Sequence, residues 1–260
     1  MKKFVDELKT ENGNLVAIAI TEFFVYFCSA FGFSDYVFNT AIYKKTGWVE
    51  DSLIPGTLVT AYSIPGIFIA IAYFSNGLQC ELLTLILCVV TFTAGAIIGS
   101  HVATNLDVSK LKRVIGYAMI FSMIALIIKL IVSSGVAGIA LGLKPWQFVI
   151  VLPCCFGLGI LNMLGVPMKP PLMSLLLLLG LAPITTLTIL MTISVPGPIS
   201  GSINFFRTGK YKKKVFICAA TLGSIAAIIG GRFALNINTY VLTIVMLVAM
   251  AYVSYTMLKK

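Results

Sequence analysis

Charged side chains are scarce in this chain, since Asp, Glu, Lys and Arg together make up 11% of its 260 residues. Soluble domains carry about 25% charged residues, so the composition excludes an ordinary soluble domain. Hydrophobic residues make up 59%, and the mean hydropathy is +1.01. We therefore predict that most of the chain lies in lipid, with room for roughly eight to ten segments of about 20 residues each.

Metal-binding and catalytic patterns are also missing. The chain has one histidine, His101, and none of its six cysteines forms a CxxC pair, so we interpret the cysteines as small buried hydrophobic residues rather than metal ligands. No Ser-His-Asp set, phosphate-binding loop or nucleotide motif occurs. The sequence therefore predicts no metal, no cofactor and no enzymatic activity.

Acidic residues are outnumbered by basic ones, 9 against 19, which gives a net charge of +10. Nucleic-acid binding is one explanation of a basic protein. Here the basic residues lie in short loops beside apolar segments, where a bias in membrane topology explains them better. The predicted partners are the lipid bilayer and a small substrate, and no nucleic acid.

The chain contains an internal repeat. Ser63-Ile64-Pro65-Gly66 matches Ser194-Val195-Pro196-Gly197, and at the same offset of 131 residues Ala96-Ile97-Ile98-Gly99 matches Ala227-Ile228-Ile229-Gly230. Interrupted apolar segments at corresponding positions of two halves are typical of transporter binding sites. We interpret the chain as a duplication, with a first transmembrane repeat at 1–133, a connecting loop at 134–145 and a second transmembrane repeat at 146–260.

Apolar runs predict ten segments, five in each repeat. They lie near 14–32, 34–43, 53–74, 82–101, 111–133, 146–165, 171–182, 184–206, 215–232 and 239–257. The segments 34–43 and 171–182 are too short to cross about 30 Å of hydrocarbon as straight helices. Each is predicted to form a hairpin with the full-length span before it, and whether the hairpins at 14–43 and 146–182 cross fully or re-enter stays open.

An odd number of segments per repeat predicts that the second repeat is inverted relative to the first. The predicted fold class is an all-α polytopic membrane protein with two inverted five-segment repeats, each with a broken hairpin and a Pro-broken span. The distribution of basic residues supports this topology, because fifteen of them then face the cytoplasm and only Lys144 and Arg232 face outward. The cytoplasmic set is Lys2, Lys3, Lys9, Lys44, Lys45, Lys110, Lys112, Arg113, Arg207, Lys210, Lys212, Lys213, Lys214, Lys259 and Lys260. We predict a multi-pass protein of the bacterial inner membrane with both termini cytoplasmic.

These features resemble the sulfite exporter (TauE/SafE) permeases, also called the 4-toluene sulfonate uptake permeases. The resemblance covers almost the whole chain. It rests on the duplicated Ser-x-Pro-Gly spans and on Gly-Ala-Ile-Ile-Gly at 95–99 with its copy Ala-Ala-Ile-Ile-Gly at 226–230. Many members carry a dense Gly-x-Gly-Gly-Gly run at the hairpin, whereas the first hairpin break here has only Gly32. The resemblance implies transport of small anions, often sulfur-containing ones such as sulfite or sulfonates, and leaves the anion and the direction open.

The broken spans supply most of the candidate substrate-binding residues. Proline removes a backbone hydrogen bond, and freed carbonyls and half-helix N-termini can face a ligand. The candidates in the spans are Thr57, Thr60, Ser63, Pro65, Thr188, Thr192, Ser194 and Pro196. The hydroxyl groups could replace the water around an oxyanion. Alternatively, they hydrogen-bond to their own helix or hold helices together.

The hairpins supply the charged candidates. Lys169 has no acidic residue nearby in sequence, so a bound anion would offset the cost of its charge at membrane depth, and Asn39 is a candidate neutral donor from the other repeat. Alternatively, Lys169 lies at a hairpin tip at the cytoplasmic interface. Glu22 and Asp35 are candidates for proton coupling, unless Glu22 pairs with a lysine or Asp35 caps the helix that follows it.

The leading hypothesis is a secondary transporter of small anions in which two halves rock about a shared site, either coupled to protons or facilitative. Alternatives are an anion channel on the same architecture, a transporter of small carboxylates, and a membrane-embedded partner or sensor subunit without flux. A homo-oligomer is an open alternative for the assembly.

Overall fold

The computed structural model describes residues 11–75, 77–102, 117, 120, 121, 123–128, 131 and 138–258. Most of the predicted segment 111–133 lies outside this part of the chain. So do Lys129, the basic residues at 2–9, 110–113 and 259–260, and the side chain of His101. No β-strand is formed within the described ranges, apart from one isolated bridge between Ala140 and Leu181.

The described chain is a series of helices joined by short turns. They are α1 (Leu15–Ser29), α2 (Asp35–Thr46), α3 (Ile54–Phe74), α4 (Leu82–Val102), α5 (Pro145–Met163), α6 (Lys169–Leu178), α7 (Pro183–Ile193), α8 (Pro196–Thr208), α9 (Lys213–Cys218), α10 (Ser224–Asn236) and α11 (Thr239–Leu258). A π-helical turn at Ala219–Gly223 joins α9 to α10. Nine of the ten predicted segments are therefore helical, with bounds within about four residues of the prediction.

Six helical stretches in this part of the chain are long and apolar enough to cross a membrane. They are Asp51–Phe74, Leu82–Ser100, Pro145–Met163, Pro183–Thr208, Lys213–Asn236 and Thr239–Thr256. The protein is an all-α membrane protein. The predicted first full-length span is wrong in length, because α1 has only 15 residues and a straight crossing needs about 20.

Local sequence explains how the first hairpin is formed. Asn14 caps α1 by accepting hydrogen bonds from the backbone N–H groups of Val16 and Ala17, which would otherwise be unpaired. After α1 ends, Gly32 takes a φ of +93°, which favours glycine, and the chain reverses into α2. Gly47 then ends α2 in the left-handed conformation, as is common at helix C-termini.

The two Ser-x-Pro-Gly copies differ in structure. The helix α3 continues through Pro65, so the predicted break in the first span is wrong, whereas the second span is interrupted at Ser194-Val195, between α7 and α8. The sequence offers a reason, since the second copy has another proline at Pro198 where the first copy has Ile67. One missing N–H is tolerated within a helix, but two missing within three residues remove most of a turn of hydrogen bonds.

The two halves of the chain are interlaced. The helix α1, from the first half, packs on α10, from the second half. The helix α5, from the second half, packs on α4, from the first half. Glycines allow close approach, because a Cβ atom at Gly95 or Gly159 would collide with backbone atoms of the facing helix, and one at Gly230 would lie 2.7 Å from the Phe27 carbonyl oxygen. The first helix of each half thus packs closely on the fourth segment of the other half.

The described basic loop at Lys212–Lys214 and the loop at Lys144 lie at opposite ends of the molecule. The Glu11 carboxylate accepts hydrogen bonds from the backbone N–H groups of Lys213 and Lys214, and Thr57 accepts one from that of Lys212. Lys144 precedes α5 at the end where α4 begins, since its neighbour Leu143 hydrogen-bonds Thr84. This division fits the predicted charge distribution, and the side of the membrane that each end faces stays a prediction.

Candidate functional site

A buried ion pair joins the two halves. The Lys169 ammonium donates a hydrogen bond to Oδ1 of Asp35 over 2.9 Å, and the two residues are 4% and 3% exposed. Asp35 begins α2 after the Gly32 turn, and Lys169 begins α6 after the turn at Gly165, whose φ is +79°. The breaks in the two hairpins thus bring opposite charges from residues 134 positions apart into contact.

Ser29 completes the polar contacts of the pair. Its hydroxyl lies 2.5 Å from Nζ of Lys169, which donates to it, and 3.3 Å from Oδ1 of Asp35, to which it donates. Ser29 is the last residue of α1, so all three residues stand at helix ends beside the hairpin breaks. Because the ion pair also receives hydrogen bonds, its burial is less costly than that of a bare pair.

Tyr62 of α3 covers the ammonium. Nζ of Lys169 lies 4.3 Å from the centre of the Tyr62 ring, which is a favourable cation–π distance. The ring lies against Gly66 one turn later, where a Cβ atom would be 2.5 Å from a ring carbon. The glycine of the Ser-x-Pro-Gly motif therefore makes room for the aromatic side chain that faces the ion pair.

The pair borders a small cavity that residues of both halves line. Its lining residues are Ser34, Asp35, Tyr36, Tyr62, Asn162, Pro167, Met168, Lys169, Ser194 and Pro198. Its volume of about 10 Å³ is close to that needed for one water molecule. The hydroxyl of Tyr62 lies beside Lys169 and Ser194. It is 2% exposed and has no hydrogen-bond partner within the described part of the chain.

Glu22 forms a second buried polar cluster next to the first. The carboxylate is fully buried and accepts hydrogen bonds from the Tyr43 hydroxyl over 2.8 Å and from Nδ2 of Asn39 over 3.2 Å. Asn39 follows Asp35 by one helical turn on α2, so the two clusters share a face of that helix.

This geometry bears on four predictions about the hairpin candidates. Lys169 is buried, which excludes the alternative of an exposed hairpin tip at the interface. Asn39 donates a hydrogen bond to Glu22 and does not line the cavity beside Lys169, and its role as a donor to the substrate stays a prediction. Within the described residues, Glu22 is held by neutral partners rather than a lysine, and Asp35 pairs with Lys169 while Ser34 occupies the N-cap position.

The hydroxyl candidates donate to carbonyl groups of their own helices. The pairs are Thr57 to Leu53, Thr60 to Gly56, Ser63 to Thr60, Thr188 to Ile184, Thr192 to Thr188 and Ser194 to Leu190. This is the alternative that hydroxyl groups inside helices often adopt. Of this group, only Ser194 lines the cavity, and Pro65 and Pro196 do not. A role for these residues in substrate binding stays a prediction.

Sequence reasoning missed Ser29, Tyr62 and Asn162. Tyr62 had a local signal, because it stands one turn before the motif glycine. Asn162 accepts a hydrogen bond from the Tyr36 hydroxyl over 3.5 Å, a contact between positions 126 residues apart that has no local signal. Ser29 is an ordinary helix-end serine in the sequence.

No protein-family model, no curated protein and no solved structure matches this chain.

Proposed function

We propose that the protein is a secondary membrane transporter of small anions that works by alternating access. The observation that carries the proposal is the buried Lys169–Asp35 pair beside a small cavity that residues of both halves line. A cation inside a membrane domain is costly and usually marks a substrate or ion pathway. In a chain with so few charges, this pair is the strongest candidate for such a pathway.

The interlaced helices support the mechanism. Both halves contribute to the cavity wall, as is usual for a site between transporter repeats. The interruption between α7 and α8 begins at Ser194, which also lines the cavity. A non-helical turn beside the site gives the second half a point at which a helix can bend.

Two substrate classes remain in the proposal. Sulfur-containing anions such as sulfite or sulfonates follow from the sequence resemblance. Small carboxylates are favoured by a contact in the protein, since the group that Lys169 holds is the carboxylate of Asp35. The small volume of the cavity, about 10 Å³, favours a transporter over the alternative of an open anion channel.

Flux into proteoliposomes tests the proposal. We expect saturable uptake of labelled sulfite, methanesulfonate or acetate, which unlabelled anion inside the vesicles accelerates by exchange. Lys169→Gln should abolish uptake, while Lys144→Gln, a matched change at an exposed lysine, should leave it unchanged. Uptake by Lys169→Gln at the wild-type rate would contradict the site, and unsaturable current with no exchange would identify a channel.

A further inference from the structure

We propose that Asp35 is an internal competitor for the anion site, so that one proton enters the site with each monovalent anion. In the resting site the Asp35 carboxylate forms an ion pair with the Lys169 ammonium and so takes the place of a substrate anion. When Asp35 takes up a proton from water, it releases the ammonium to the substrate anion. This inference rests on the proposed function and specifies the coupling ion and the charge of the substrate.

The contacts of the ammonium support competition. Two of its three N–H groups are used, one by Oδ1 of Asp35 and one by Oγ of Ser29, and the Tyr62 ring covers it on another side. The adjoining cavity has the volume of about one water molecule. An anion that binds Nζ therefore competes with the Asp35 carboxylate for the ammonium.

Charge balance determines the stoichiometry. The resting pair carries one positive and one negative charge and is neutral. An anion bound beside an ionised Asp35 would leave an uncompensated negative charge in a buried site, where like charges repel strongly. With a proton on Asp35, the site that holds Lys169 and a monovalent anion is neutral again, whereas a divalent anion would leave it negative.

The surrounding hydroxyl groups can form hydrogen bonds both in the resting state, with Asp35 ionised, and in the anion-bound state, with Asp35 protonated. Ser29 now donates to Asp35 over 3.3 Å, and its oxygen can instead accept a hydrogen bond from the protonated acid. The Tyr62 hydroxyl is buried and lies beside Lys169, so it can donate a hydrogen bond to an anion held there. The Lys169 ammonium and the Tyr62 hydroxyl together form a donor set for one small anion.

Several other titratable groups face Asp35. They are Glu22 and Tyr26 of α1, Tyr36 and Tyr43 of α2, Tyr62 of α3 and Lys169 of α6. Phenol groups ordinarily titrate near pH 10 and ammonium groups above it. Among these groups, Glu22 is therefore the one whose titration must be separated from that of Asp35 in an experiment.

The test uses anions that stay monovalent over the whole pH range, so that any pH dependence belongs to the protein. Binding of methanesulfonate, nitrate and chloride to the purified protein is measured by calorimetry from about pH 5.5 to about pH 8.5. For the anion that binds, we expect the dissociation constant to rise about tenfold per pH unit where Asp35 is ionised in the free protein. In weakly buffered solution, a pH dye should record uptake of one proton per anion bound.

Two matched carboxyl variants assign the proton. In Asp35→Asn the dissociation constant should lose its pH dependence and proton uptake should vanish, because Lys169 is then permanently released. Glu22→Gln, a change of the neighbouring buried acid, should keep both the pH dependence of the dissociation constant and the uptake of one proton per anion. If Asp35→Asn cannot be purified, two measurements still test the role of Asp35. They are the number of protons taken up per anion by the wild type and the pH dependence of the dissociation constant in Glu22→Gln.

The outcomes separate the two proposals. Anion binding in the wild type without pH dependence and without proton uptake overturns the role of Asp35 and leaves an anion transporter. Loss of the pH slope in Glu22→Gln moves the coupling to Glu22 and likewise overturns it. If none of the three anions binds to the wild type or to Asp35→Asn at any pH, and proteoliposomes take up neither sulfite, methanesulfonate nor acetate, the anion site itself is refuted, and with it the proposed function.

Discussion

At the scale of single residues, Asp35 and Lys169 each make the burial of the other tolerable. Removing one partner of a buried ion pair leaves an uncompensated charge, whereas replacing both by neutral groups of similar size is often neutral or stabilising. Their mutual dependence can therefore be measured without knowing the substrate. This dependence follows from the burial of the two residues, since Asp35 is 3% and Lys169 is 4% exposed.

A double-mutant cycle measures this dependence. We expect Asp35→Leu and Lys169→Met each to lower the free energy of unfolding by about 3–5 kcal/mol, and the double variant to lie close to the wild type. Denaturation of the detergent-solubilised protein, followed by circular dichroism, gives the three values. Additive losses in the double variant would mean that the two charges do not stabilise each other in solution.

Sequence reasoning found Lys169 and Asp35 as separate candidates but not as a pair. The Gly and Pro residues that punctuate the hairpins are local signals, so the ends of α2 and α6 could be predicted within a few residues. Contact between positions 134 residues apart depends on how the halves dock, which no local pattern encodes. Likewise, the regular spacing of Thr57 and Thr60 correctly indicates one side of a helix but not that their hydroxyl protons face its own carbonyls.

At the scale of helices, the close crossing of α4 and α5 depends on glycines at the contact, which have no side chain to separate the two backbones. A Cβ atom at Gly159 would collide with the Phe92 carbonyl oxygen and lie 3.0 Å from the Ala96 nitrogen, whereas one at Gly157 would meet nothing within 4 Å. Both glycines belong to α5. They therefore separate the effect of close packing from that of helix propensity.

We expect Gly159→Ala to destabilise the protein by about 1–3 kcal/mol, because the facing backbone must move. Gly157→Ala should be neutral or stabilising by up to about 1 kcal/mol, since alanine favours a helix over glycine. Thermal unfolding of the two variants gives the comparison. Equal melting temperatures for both would argue against the close crossing of α4 and α5.

At the scale of the whole molecule, the described basic residues divide between two ends, and the bias of basic residues toward the cytoplasm assigns each end a side. Lys210 is exposed between α8 and α9, and Lys144 is exposed just before α5. Since the loops beside them belong to opposite ends, these two positions report the orientation. The inverted relation of the two repeats, which the sequence predicts, depends on the same division.

In a cysteine-free background, we expect Lys144→Cys to react with an impermeant maleimide added outside intact cells. Lys210→Cys should react only after the membrane is permeabilised. Labelling after permeabilisation is the control for accessibility at both sites. Reaction of both cysteines from the same side would refute the predicted topology.

The interlacing of α1 with α10 and of α5 with α4 also bears on biosynthesis. When the ribosome has completed the first half, α1 has reached the membrane but the helix it packs on has not been made. Gly230, which allows their close approach, lies some 200 positions later than α1. The early segments must therefore stay in the bilayer without the helices on which they finally pack. Neither half can reach its final packing before the other half has been synthesised.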